Sequence, residues 1–60
     1  MECTLIRNTN GTLEMQWGRQ VLAIAHGIAE YRYIDLTETE VQKIRDAKTE
    51  DVQRILTELY

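Results

Sequence analysis

Three glycines punctuate the first half of the chain, and each stands in a dipeptide that favours a tight turn: Asn10-Gly11, Gly18-Arg19 and His26-Gly27. Asn-Gly is the strongest two-residue signal for a type I′ hairpin, whose two central residues both need positive φ. Between the first two turns, Thr12-Leu13-Glu14-Met15-Gln16-Trp17 alternates polar and apolar residues and reads as a strand. The chain on either side can fold back against it, so it is the expected centre of a sheet.

A two-residue loop at Asn10-Gly11 pairs Thr9 with Thr12, Arg7 with Glu14, Ile6 with Met15 and Thr4 with Trp17. On this register Ile6, Leu13, Met15 and Trp17 share one face, and Arg7, Glu14 and Gln16 share the other. A slip of one residue would scramble that separation. A turn at Gly18-Arg19, glycine first as type II′ prefers, returns a third strand over Gln20–Ala25 with Leu22 opposite Met15 and Ile24 opposite Leu13. The turn at His26-Gly27 then brings Ala29, Tyr31 and Tyr33 of a fourth strand to the same face. The rival reading makes 19–31 a helix within a ββαβα order, since Val21, Ile24, Ala25 and Ile28 have helical spacing. Gly27 inside that helix would cost about 1 kcal/mol relative to alanine.

The second half carries clearer signals. Thr37 precedes Glu40 by three residues, the spacing of a capping box, and Leu36 and Val41 stand where a hydrophobic staple places them. The helix that follows from Glu38 to Ala47 buries Val41, Ile44 and Ala47. Thr49 offers a second cap, with Glu50 and Asp51 in the first turn favoured by the helix dipole. Val52, Ile55, Leu56 and Leu59 form the next apolar stripe. One continuous helix also keeps the stripes aligned, but it would run roughly 35 Å at about 1.5 Å per residue. A six-residue strand spans only about 20 Å, which favours a break near Lys48-Thr49. The expected fold is therefore α+β: a four-stranded antiparallel meander, then two short C-terminal helices packed on one face, all in a single domain over residues 1–60.

Sixty residues bury a small core, and small domains add disulfides, a metal or a partner chain. One cysteine, Cys3, forms no intrachain disulfide and suits a reducing compartment such as the cytoplasm. One cysteine and one histidine, His26, fall short of a structural zinc site. Self-association is the route left. The apolar run Val21–Ala25 is too short to span a bilayer, and Met1-Glu2-Cys3 lacks the basic start of a signal peptide. A net charge of −3, well mixed along the chain, argues against a binder that relies on neutralising phosphates.

The chemistry-bearing residues have plain structural explanations. Cys3 and His26 fall on opposite faces and make no nucleophile–base pair. Glu38 and Glu40 serve the helix start, so Asp35, Glu38 and Glu40 make no metal site. Trp17, Tyr31 and Tyr33 suit a core better than a base-stacking platform, and Glu14 and Glu30 interrupt a basic site of Arg7, Arg19 and Arg32. No catalytic residue, cofactor or metal ligand is expected. The outer face of the sheet is half apolar, which marks an interface. Its candidate residues are Leu5, Arg7, Val21, Ala23, Ala25, Ile28 and Arg32. The edge strands, taken as Cys3–Asn8 and Ile28–Ile34, carry few blocking charges. The expected function is a non-catalytic protein–protein interaction module acting as a homodimer. An intracellular adaptor or inhibitor fits that size, of the kind phage and mobile elements use to block a host enzyme. A small nucleic-acid-binding or regulatory protein is the alternative.

Overall fold

The computed structural model describes residues 1–21 and 27–60. The elements are β1 (Glu2–Asn8), β2 (Leu13–Trp17), β3 (Ile28–Asp35), α1 (Glu38–Asp46) and α2 (Thr49–Leu59). The class is α+β. Among the described residues the antiparallel sheet has three strands, in the order β2-β1-β3.

The centre of the sheet is β1, and the Thr12–Trp17 stretch expected there is an edge. Cys3, Thr4, Leu5 and Ile6 are all fully buried, so β1 is covered on both faces. The fourth strand of the expected meander is not matched. Gln20 and Val21 lie outside any strand, and the rest of the expected third strand, residues 22–25, lies outside the described residues. The helical alternative over 19–31 is overturned at both ends: Arg19 to Val21 are not helical and Ile28 to Tyr31 belong to β3.

The hairpin forms where Asn10-Gly11 predicts it, with a different loop. Gly11 has φ +88° whereas Asn10 keeps a negative φ, so the type I′ turn is not made. The Gly11 N–H donates to Asn8 O at 3.0 Å, and the Asn8 N–H donates to Thr12 O at 2.8 Å. This is a three-residue loop closed by a glycine in the left-handed region. The Asn10 carboxamide stabilises it from inside: Asn10 Oδ1 accepts from the Thr12 N–H at 3.0 Å and from the Thr12 hydroxyl at 2.7 Å.

The extra loop residue moves the pairing by one. Cys3 stands opposite Trp17, Leu5 opposite Met15 and Arg7 opposite Leu13. Side chains alternate across a strand, so this shift exchanges the faces of β1 relative to β2. Leu5 and Cys3, not Ile6, share a face with Leu13, Met15 and Trp17, and Trp17 and Ile6 point to opposite sides. On β3, Tyr33 stands opposite Thr4 and Tyr31 opposite Ile6. The tyrosines do lie with Ile6, but on the face away from the helices.

The helices cover the Cys3–Leu5 face. Cys3 packs with Leu36 and Val41, and Leu5 packs with Leu13 and Leu56, with Met15, Ile34, Ile44 and Leu59 bridging the two groups. The expected stripes turn inward on both helices, with Val41, Ile55 and Leu56 buried and Ile44, Ala47, Val52 and Leu59 half-buried. The capping box of α1 is complete: the Glu40 N–H donates to Thr37 Oγ1 at 3.2 Å and the Thr37 N–H donates to Glu40 Oε1 at 3.0 Å. The chain then breaks at Ala47, whose backbone is extended. Thr49 is the first helical residue of α2 rather than its cap, and the capping position, Lys48, makes no side-chain cap bond. Burial of Ile55 and Leu56 holds α2 in place.

On the opposite face the Thr4 hydroxyl donates to Gly18 O at 2.8 Å and accepts from the Gln20 N–H at 3.1 Å. At its far end the Thr9 N–H donates to Gly27 O at 3.2 Å. The chain leaving β2 is thus tied to the Thr4 side chain of β1, and the chain entering β3 to the main chain of Thr9 just beyond β1.

Candidate interaction surfaces

The two outer strands present different surfaces. In an antiparallel sheet, successive residues turn their main-chain N–H and C=O groups alternately to one side and the other. Asn8 and Glu2 bond to the Thr12 and Gly18 ends of β2, so the even residues of β1 serve β2 and the odd ones serve β3. Leu13, Met15 and Trp17 therefore aim their main-chain groups away from the sheet on the β2 side. Tyr31 and Tyr33 do so on the β3 side.

At the β2 edge, Gln53 of α2 acts as a short strand. Its Nε2 donates to Leu13 O at 2.6 Å, and its Oε1 accepts from the Leu13 N–H at 2.9 Å. Met15 and Trp17 meet no such partner among the described residues. Beside them runs an open apolar groove of about 350 Å³, walled by Met15, Trp17, Ile44, Val52 and Leu56. The Arg45 guanidinium stands 4.8 Å from the ring centroid of Trp17, one of the groove's walls.

Among the described residues, nothing pairs with the outer edge of β3. Tyr31 and Tyr33 are 49% and 43% exposed, with rings 5.6 Å apart in an edge-to-face arrangement. Arg19 lies 4.4 Å from the Tyr33 centroid. On the helix side of the same strand, Glu30 accepts from Arg7 at 2.7 Å and from the Tyr60 hydroxyl. Arg32 donates to the Tyr60 main-chain oxygen and stacks 4.3 Å from its ring. The Tyr60 hydrogen bond, with Arg7 beside it, holds the Glu30 carboxyl below the usual glutamate range. Burial and the same carboxylate push the Tyr60 phenol up.

Among the described residues, those expected at the interface are not all at the surface. Leu5 is fully buried under α2, because the face exchange turned it inward. Arg7 and Arg32 are exposed and meet at Glu30. Val21 is exposed and Ile28 is half-buried, while Ala23 and Ala25 lie outside the described residues. The expected edge at Cys3–Asn8 is interior. Of the three arginines considered as a basic site, Arg19 lies near Glu2, 3.8 Å away, apart from the other two.

His26 lies outside the described residues. Cys3 is buried, and desolvation raises its thiol pKa. Among the described residues, no group of three or more His, Cys, Asp or Glu is placed to hold a metal ion. Nor is any helix there long and apolar enough to cross a membrane. Sequence reasoning missed Gln53 and Tyr60, since each acts on residues 30 or 40 positions away. Comparison with protein-family models, with curated proteins and with solved structures finds no match to this chain.

Proposed function

We propose that this chain is a non-catalytic protein–protein interaction module that takes an extended segment of another protein along the outer edge of β2. The observation that carries this reading is the pair of outward-facing main-chain sites at Met15 and Trp17 beside an apolar groove. A strand added there would bond to those sites and send alternate side chains between Ile44 and Val52, the strand-addition mode of peptide recognition. Gln53 already imitates such a partner at Leu13 and marks where the added strand would stop. Inhibition of a host enzyme, as in small phage proteins, is one use of such a site. A reducing, cytoplasmic setting accords with the buried free thiol of Cys3.

The test is selection of extended peptides from a displayed library, followed by amide hydrogen exchange on the complex. The expected result is a set of alternating apolar–polar sequences that protect the Met15 and Trp17 amides and lose binding to a Val52→Arg variant. Peptides that leave both amides exchanging freely would overturn the groove. Tight binding of single-stranded or duplex oligonucleotides with a steep salt dependence would favour the nucleic-acid alternative. The formal net charge of −3 opposes that outcome.

A further inference from the structure

We propose that two copies of this chain pair antiparallel along their β3 strands about a two-fold axis at Tyr31, joining two three-stranded sheets into one. This is independent of the groove at β2. The β3 edge is eight residues long, and its outward positions carry neither lysine nor proline, the usual blocks to edge pairing. What selects the partner is the charge pattern of the strand itself.

Outward-facing residues must meet outward-facing residues, so only a few two-fold registers exist. An axis at Glu30 sets it against the partner's Glu30, and an axis at Arg32 sets it against the partner's Arg32; like charges directly opposite are unfavourable. An axis at Tyr33 places Arg32 against the partner's Ile34, Tyr31 against the partner's Asp35 and Glu30 beside the partner's Leu36. An axis at Tyr31 gives two main-chain hydrogen bonds between Tyr31 and the partner's Tyr31. It also sets Glu30 opposite the partner's Arg32 on both sides of the axis, and Ala29 opposite the partner's Tyr33. Only this register makes both charged pairs complementary. It leaves in place the bond from Arg7 to Glu30, because Arg7 reaches Glu30 from β1 and the new strand approaches from the opposite edge of β3.

The experiment is sedimentation equilibrium of the intact chain and of charge variants. Glu30→Arg alone places arginine against the partner's Arg32, and Arg32→Glu alone places glutamate against the partner's Glu30. Each should self-associate about tenfold or more weakly than the unaltered chain. An equimolar mixture of the two variants has opposite charges at both pairs and should regain association as a heterodimer. A mixture no tighter than either variant alone would overturn the register, and so would a monomeric unaltered chain at millimolar concentration. Tyr31→Pro removes one outward N–H that has no main-chain partner among the described residues. It should give a monomer with an unchanged circular dichroism spectrum. A folded Tyr31→Pro variant that still dimerises would place the contact elsewhere and overturn the proposal. Groove binding at β2 would persist in all these variants, so the two readings fail separately.

Discussion

The edges of this sheet differ in what lies beside them more than in what they are made of. Along β2, α2 supplies a side-chain amide that closes one main-chain site, and both helices wall a groove next to the rest. Along β3, nothing among the described residues covers the outward sites of Tyr31 and Tyr33, and the charged groups on its helix side bond to each other. One edge is therefore shaped to receive a chain with particular side chains. The other is open to any strand whose charges match. Between them β1 is buried on both faces and carries the packing for both edges.

The largest disturbance comes from that shared support. Leu5 is fully buried against Leu13 and Leu56, and Leu5→Ala should cost about 2–5 kcal/mol. A domain of 60 residues has a total stability of roughly 3–9 kcal/mol at the usual per-residue value. The variant should thus be largely unfolded or close to its midpoint in thermal denaturation, with both edges lost together. Cys3 should also become reactive to alkylation, because burial now keeps its thiol protonated and covered.

A smaller change should separate the edges. Gln53→Ala removes two hydrogen bonds to the main chain of Leu13 and should cost about 1–2 kcal/mol. In hydrogen exchange the Leu13 amide should lose its protection and behave like Met15, while self-association through β3 stays as in the unaltered chain. Loss of that association would show that the two edges are coupled rather than independent.

The smallest effect belongs to the β3 side. Tyr60→Phe removes the hydroxyl that donates to Glu30, so the Glu30 carboxyl should move up toward its ordinary value in a carboxyl NMR titration. The sign follows from the depressed pKa. The stabilisation is present above the ordinary glutamate value and is lost as pH falls through the lowered one. In the variant that acid-side loss should be weaker. The exposed position keeps the effect small.

Particular residues show why the fold was only partly legible. Thr37 and Glu40 announced α1, because both halves of a capping box lie within one turn. The stripe Val52, Ile55, Leu56 and Leu59 announced α2 for the same local reason, although its expected cap at Thr49 was displaced by one residue. Asn10-Gly11 announced a hairpin but not its loop length. The choice between two and three loop residues hung on the φ of Asn10, which the Thr12 contacts settled. That single residue reversed which side of β1 met the helices and turned Leu5 from a surface candidate into core.

The sequence by itself therefore determined the class, both helices, their apolar stripes and the first hairpin, since each depends on groups a few positions apart. Tertiary structure decided which strand is central, where β3 pairs, and which edge Gln53 and Tyr60 reach. Those outcomes depend on contacts between residues far apart in the chain, where small local preferences are overruled by which arrangement buries Cys3, Leu5 and Leu56 together.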